Sequence, residues 1–295
     1  MAAPILDRFG IAGSFYLITD LMDVRQWDDS GNLRHLFTWD EARDLAARGH
    51  EIASHTASHA DLGRFPELAA EELSRAREAL RANVPGADLY TISWPYWRST
   101  PESRSAAEEL LYFGRAGGVS IPDDATHYAG VNGDGPEDWF RIGAYGVLRR
   151  DTPERIAVAM DQILSTGGWL VLNFHGFIPE GVDGATVAGV GWEPYRAEDF
   201  ITVVEMLVER GFWCAPFGTV ARYLRQRNET TVVVREDEGA IFLSAESALN
   251  QDVFNQPLQV DLTVGDSTTP PLLVTLPPAT ERIDLTTRIV EHLDR

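Results

Sequence analysis

Short apolar runs and longer stretches of helical periodicity take turns along most of the chain. Ala3–Gly10 reads as the end of a helix, with Gly10 suited to a left-handed cap. Gly13–Thr19 (G-S-F-Y-L-I-T) is aromatic and β-branched, the pattern of a strand. Thr38-Trp39-Asp40-Glu41 is a capping box that opens a helix over 42–48, stopped by Gly49. A second strand starts at Gly49 and runs into a polar turn. Pro66–Asn83 predicts a long helix, acids first and arginines later, as the macrodipole favours. Leu89–Trp94 is the next strand, Pro101 opens a helix to about Leu111, and Phe113–Val119 reads as another short strand. After the loop-like 120–138, Arg141–Leu148 reads as a strand and Asp151-Thr152-Pro153 starts a helix through Leu164. Trp169–Phe174 is almost continuously apolar, as expected of a strand in a parallel sheet covered on both faces. A Gly-rich loop to about Gly191, a helix over Arg196–Arg210, a strand over Phe212–Ala215 and a helix over Phe217–Arg227 complete the series. Such alternation predicts right-handed β-α-β crossovers in a parallel sheet or barrel.

The rhythm changes after Asn228. Thr230–Val234, Ile241–Leu243, Leu258–Val264 and Leu272–Leu276 are short β-rich runs divided by Gly, Asp and Pro, and a helical signal returns only at Thr287–Leu293. The expected organisation is an α/β domain over 1–228 and a small β-rich appendage over 229–295.

Composition narrows the classes. The 295 residues carry a formal charge of −20, with 44% hydrophobic content. That charge argues against non-specific binding to nucleic acid. All 25 basic residues are arginine. No run approaches the length of a membrane span. Cys214 is the only cysteine, so no disulfide forms within the chain. It lies in a predicted apolar strand and is expected to be buried. The N-terminus shows no basic region followed by an apolar core, so no signal peptide is visible.

Candidate chemistry concentrates at predicted strand ends, where α/β proteins present site residues. His55 and His59 follow the strand that starts at Gly49. On a helical turn they would share one face, where two imidazoles can hold one metal ion, zinc being a suitable one. The competing reading is a pair of surface or capping histidines. His50-Glu51 is not the start of a metalloprotease helix, because His55 lies five positions on and off that face. His175 ends the apolar strand Trp169–Phe174. Trp94, Tyr96, Trp97, Trp192 and Tyr195 fall on strand-end loops, where aromatic faces serve either as sugar platforms or as packing. His35 and His127 lie in polar loops with no expected chemical role.

The run Gly49-His50-Glu51-Ile52-x-x-His55-Thr56-x-x-His59 resembles the metal-binding motif of the NodB-type polysaccharide deacetylases, carbohydrate esterase family 4. The resemblance extends over roughly residues 1–227. It implies a distorted (β/α)7-type barrel with its site at the strand C-termini. It makes His55 and His59 ligands of a divalent metal, usually zinc, and His175 the general acid that protonates the leaving group. Pro95-Tyr96 resembles the family's third motif, in which Tyr contributes a backbone N–H to an oxyanion hole. Trp94, Trp97 and Trp192 become candidate contacts for an acetylated oligo- or polysaccharide.

Three departures stand beside these matches. The family's Asp-Asp motif, source of the catalytic base and the third metal ligand, is absent. Ala3–Leu17 resembles the family segment just C-terminal to that motif, so the expected barrel lacks its first strand and the chain reads as starting downstream of the motif. Asp123-Asp124 comes after no convincing strand, and Asp20 is the candidate substitute ligand. Ser93 stands where the family has the arginine that pairs with the base, and Arg98 is the candidate replacement. Asn173 occupies a position usually filled by Leu, and Asp138-Trp139 is the one Asp-Trp pair that could serve as the fourth motif. The leading expectation is therefore a metal-dependent hydrolase that removes acetyl groups from carbohydrate, inactive in this chain if the aspartates are not replaced. The alternatives are a catalytically dead carbohydrate-binding protein on the same scaffold and an amidohydrolase acting on small amides.

Overall fold

The computed structural model describes residues 1–24, 26–27, 33–34, 36–87, 89–116, 132, 135–182, 191–263, 271–277 and 282–293. His35, His127 and Asp123-Asp124 lie outside them. The chain falls into two compact units, Met1–Gly218 and Thr219–Arg295.

The first unit is mixed α/β. Its elements are α1 (Ala2–Arg8), β1 (Ser14–Leu17), a small hairpin of β2 (Gln26–Trp27) and β3 (Leu33–Arg34), α2 (Trp39–Ala47), β4 (Glu51–Ser54), α3 (Ala69–Asn83), β5 (Thr91–Ser93), α4 (Pro101–Glu108) and β6 (Phe113–Arg115). Next come β7 (Tyr145–Gly146), α5 (Pro153–Thr166), β8 (Leu172–Asn173), β9 (Phe177–Ile178), β10 (Tyr195–Arg196), α6 (Ala197–Glu209) and α7 (Phe217–Asn228), the last crossing into the second unit. The predicted capping box is formed: Thr38 Oγ1 accepts the Glu41 N–H, and the Glu41 carboxylate accepts the Thr38 N–H.

β1, β4, β5 and β6 form one parallel sheet in that order, and α2, α3 and α4 make the crossovers. Ile142 adds a parallel bridge to Arg115, and β7–β8 and β9–β10 are further short parallel pairs. The period of two along the strands divides two faces. Phe15, Leu17 and Ile52 turn to the helices and pack with Leu45 and Leu80, while Ile92 joins Leu73, Leu111 and Phe140. The opposite face is polar. Glu51 there accepts bonds from the hydroxyls of Ser14 and Thr91, the latter at 2.7 Å, and from Gly218 N–H at 2.9 Å. Ser14 Oγ in turn accepts from Phe217 N–H at 2.7 Å. A Cβ at position 218 would lie 2.6 Å from Glu51 Oε1, so any larger residue would displace that carboxylate from its hydrogen bonds.

Several expected strands are shorter or absent: Leu89–Trp94 is a strand only over Thr91–Ser93, and Arg141–Leu148 only over Tyr145–Gly146. Of Trp169–Phe174 only Leu172–Asn173 is in a ladder, paired with β7. Its apolar residues serve packing instead, with Leu170, Leu172 and Phe174 against the cluster of Ile156, Met160, Phe200 and Val203. Phe212–Ala215 forms no ladder among the described residues, and Trp213 is exposed. Cys214 accordingly is partly exposed rather than buried.

The second unit holds β11 (Thr230–Asp237), β12 (Ala240–Ser247), β13 (Leu258–Leu262), β14 (Leu272–Leu276), β15 (Ile283–Asp284) and α8 (Thr286–Leu293). β11 and β12 form a hairpin whose two-residue turn, Glu238-Gly239, has φ of +51° and +83°, the conformation that matches strand twist. β15 pairs with β12, and β13 pairs with β14. Leu243, Leu258, Val274, Leu276 and Leu285 are the buried core. No helix among the described residues is long and apolar enough to cross a membrane.

Candidate active site

β4 ends at Ser54 and delivers His55 and His59 on a turn that is not helical. Thr56 and His59 instead adopt left-handed φ values of +65° and +67°, a conformation uncommon for residues with a Cβ. Two contacts hold it. Thr56 Oγ1 accepts the His59 N–H at 3.0 Å. Glu72, buried on α3, accepts both the Ser58 N–H at 2.8 Å and the Ser58 hydroxyl at 2.9 Å. The result still brings the imidazoles together, with ring centroids 4.7 Å apart at 75°.

His55 donates its Nδ1–H to the Ser93 carbonyl at 2.6 Å, which leaves Nε2 as the lone-pair nitrogen. Fixing one ring nitrogen on a carbonyl is how proteins orient a metal-binding imidazole. Burial pushes His55 down to about 3, against the Ser93 bond, with the charge of Arg115 adding to the fall. His59 is also lowered by burial, and Asp61 opposes the shift. Both rings are therefore neutral donors at pH 7. Two imidazoles fall short of the three protein ligands of a catalytic zinc site. Among the described residues no group of three or more His, Cys, Asp and Glu completes them. Asp20 does not: it is paired with Arg75 at 2.6 Å, partly exposed.

Ser93 ends β5, and Trp94-Pro95-Tyr96-Trp97 turns sharply after it. Tyr96 and Trp97 have φ of +52° and +61°. This strained turn sets the Tyr96 ring 4.7 Å from that of His59. Trp97 lies over Gly146, where a Cβ would come within 2.4 Å of the indole. Its ring is 6.3 Å from that of His175, and Trp192 meets His175 edge-on at 4.6 Å. His175 is lowered by burial among these rings, with Arg115 contributing, although part of its surface is open to solvent.

Two of the aromatic candidates are not available to a ligand. Trp94 is completely buried and donates Nε1–H to the Phe140 carbonyl at 2.8 Å, so it is core. Tyr195 is 1% exposed and packs with Ile156 and Phe200. Trp192 and Tyr96 are each 57% exposed and keep open faces. Arg98 does not reach inward either; it pairs with Asp61 at 3.1 Å on the surface. Asp138 caps its own turn through the Phe140 N–H and pairs with Arg104 at 3.2 Å.

Sequence reasoning missed Arg115 and Glu72. Arg115 stands beside Ser93 in register, is almost wholly buried, and donates Nη2–H to Ser93 Oγ. A lone charge at the C-terminal end of a short apolar strand was the available signal. Glu72 carried none, being one of two adjacent acids in a helix whose neighbour Glu71 is exposed.

A model of the polysaccharide deacetylase family matches residues 1–113, which include β1, β4, both histidines, the Ser93–Trp97 turn and the start of β6. Over these residues the chain is similar to the polysaccharide deacetylase family. A gellan lyase from a Bacillus species is 24% identical to this chain over 276 residues, 89% of the chain. The chain spans only 10% of that relative's length. A carbohydrate esterase family 4 domain of a multidomain xylanase, from the hindgut metagenome of Trinervitermes trinervoides, is 16% identical. The superposition covers 77% of this chain and 82% of the domain, with a TM-score of 0.43. A family 4 pseudoenzyme from Bacillus anthracis is 12% identical over 74% of this chain and 58% of its own, with a TM-score of 0.40.

Proposed function

We propose that residues 1–228 form a distorted (β/α)7-type barrel carrying a hydrolase site for acetylated carbohydrate, with 229–295 as an appendage. The observation that carries the reading is the fixed pair His55–His59, its outer ring against Tyr96, set near His175 between Trp97 and Trp192. Consecutive parallel strand pairs support the barrel. In this reading His55 and His59 would hold a divalent cation, for which imidazole favours zinc. When bound, such an ion supplies Lewis acidity toward an acetyl carbonyl.

The chain's own residues have separable tasks. The exposed faces of Trp192 and Tyr96, with the half-buried Trp97, stack a sugar ring. The Tyr96 N–H donates to the oxygen that gains negative charge as the carbonyl is attacked, a contribution of about 3 kcal/mol for such donors. His175, neutral at pH 7, accepts a proton from the attacking water on its imidazole nitrogen. It then passes that proton to the departing amine nitrogen of an N-acetyl sugar, or the alcohol oxygen of an O-acetyl one. Acetate leaves as the second product.

Acetate release from acetylated chitin and xylan oligomers, with zinc added and with chelator, tests the reading. Release that needs zinc and vanishes in His175→Ala is expected. Absence of release with zinc at saturation refutes it. A metal set of two donors among the described residues favours the second reading, a carbohydrate-binding protein without turnover. Saturable oligosaccharide affinity, lost in Trp192→Ala, without acetate release would select it.

A further inference from the structure

Arg115 carries a charge that the described residues do not balance. Only 4% of it is exposed, and its Nε and Nη1 have neither solvent nor a hydrogen-bond partner. Nη2 donates one N–H to Ser93 Oγ. The guanidinium is a planar fork, so with one Nη2 proton taken, one edge still offers two parallel donors. Its titratable neighbour on the same face is Tyr16, itself pushed above its ordinary range by burial, and Glu51 acts on Tyr16 rather than on Arg115. Glu51 cannot serve, because its oxygens already accept from Ser14, Thr91 and Gly218. Burial lowers Arg115 to about 10, which still leaves it fully charged near neutrality. A desolvated cation without an anion is costly, and a two-pronged guanidinium edge is shaped for a carboxylate.

We propose that Arg115 is the carboxylate receptor of this site, taking a planar carboxylate group on its unpaired edge, beside Ser93, whose carbonyl orients His55. The carboxylate comes either from a small free ion of the acetate class or from a side chain carried on polypeptide. Ser93 fixes the fork and His55 together, so the bound carboxylate stands next to the histidine pair.

The test places a carboxylate there by substitution. Ser93→Asp and its uncharged match Ser93→Asn are compared by thermal unfolding at pH 7.5 in sodium chloride, each with Arg115 intact and as Arg115→Met. Ser93→Asp melts several degrees above Ser93→Asn, and Arg115→Met abolishes the gap. An equal or lower midpoint for Ser93→Asp, or a gap that survives Arg115→Met, overturns the proposal. Should both Ser93 variants fail to fold, Arg115→Met alone decides. Removing an unbalanced charge leaves the midpoint unchanged or raised, whereas a drop of several degrees makes Arg115 a structural prop and overturns the receptor. Replacing chloride by acetate at equal ionic strength separates the sources. A wild-type midpoint that rises with acetate and does not in Arg115→Met identifies the free ion. A flat response beside a Ser93→Asp gain identifies a polypeptide carboxylate. None of these readouts needs turnover, so their failure is distinct from failure of the hydrolase reading.

Discussion

Glu72 is the side chain on which the histidine turn depends, and the dependence can be measured. Its two oxygens accept the Ser58 N–H and hydroxyl at 2.8 and 2.9 Å. Arg75, at 3.7 Å, is too far to replace either bond. A hydrogen bond to a charged group contributes about 1.5–3 kcal/mol. Ser58 is exposed, so the low end applies and Glu72→Ala costs about 3 kcal/mol for the pair. Glu72→Gln keeps both contacts with neutral partners, the amide oxygen accepting the N–H and the amide nitrogen donating to the hydroxyl. Its loss is about 1 kcal/mol. Ser58→Ala removes only the hydroxyl bond and costs about 1.5 kcal/mol. Urea unfolding of the three variants gives the ranking, and the double variant Glu72→Ala/Ser58→Ala gives the coupling. His55 and His59 ring resonances report the turn directly: they shift strongly in Glu72→Ala and little in Glu72→Gln. Equal losses for Ala and Gln, or unmoved histidine resonances in Glu72→Ala, would refute the account of how the turn is held.

Other expectations rest on single contacts. His50 is buried with Nδ1 accepting the Gly13 N–H at 3.1 Å and Nε2–H facing Asp7, and burial lowers it despite Asp7. Because the folded value is depressed, the unfolded chain binds the extra proton first. Its contribution is intact above about pH 6.5 and is lost as pH falls through the depressed folded value; because His55, His59 and His175 are depressed too, urea midpoints decline over that window in wild type and less steeply in His50→Gln. Gly146→Ala drives a methyl into Trp97 and moves it off His175, seen as a red-shifted tryptophan emission and reduced turnover or sugar affinity. Trp94→Phe strands the Phe140 carbonyl and leaves a void, costing about 2–4 kcal/mol by denaturation, while exposed Trp192→Ala changes stability by less than about 0.5 kcal/mol. Zinc titration by calorimetry detects binding in wild type and its loss in His55→Ala; equal affinity in both would remove the histidine pair from the metal reading.

Much of the first unit was legible because its signals are local. The capping box at Thr38, the prolines that open helices at 101 and 153, and the glycine stops at 49 and 167 all act within a few residues. The pairing of His55 with His59 was legible from spacing, but the reason for it was not. No sequence pattern announces that Thr56 and His59 take left-handed φ, since that conformation is imposed by Glu72 on a distant helix. The apolar run before His175 misled for a related reason. Hydrophobicity records burial against α5 and α6, and it does not record whether a backbone ladder exists. Trp94 and Trp192 look alike in sequence, yet Trp94 is core, bonded to the Phe140 carbonyl, while Trp192 is exposed against His175. Arg115 was overlooked because its significance is a missing partner, which appears only when neighbours are in place.

The hydrogen bonds around Glu51 and Ser14 also bear on how the unit assembles. The Gly218 N–H reaches Glu51 across 167 residues, and the Phe217 N–H reaches Ser14 across 203. Neither can form until almost the whole unit has left the ribosome. The first strand is therefore held from one side only while the rest of the sheet is being made, and its closure is a late, entropically expensive event. During synthesis the polar face of β1 and β4 stays wet until residues 217 and 218 arrive. These two amides thus tie the polar face of the first strands to the end of the unit, so that face is completed only when residues 217 and 218 are in place.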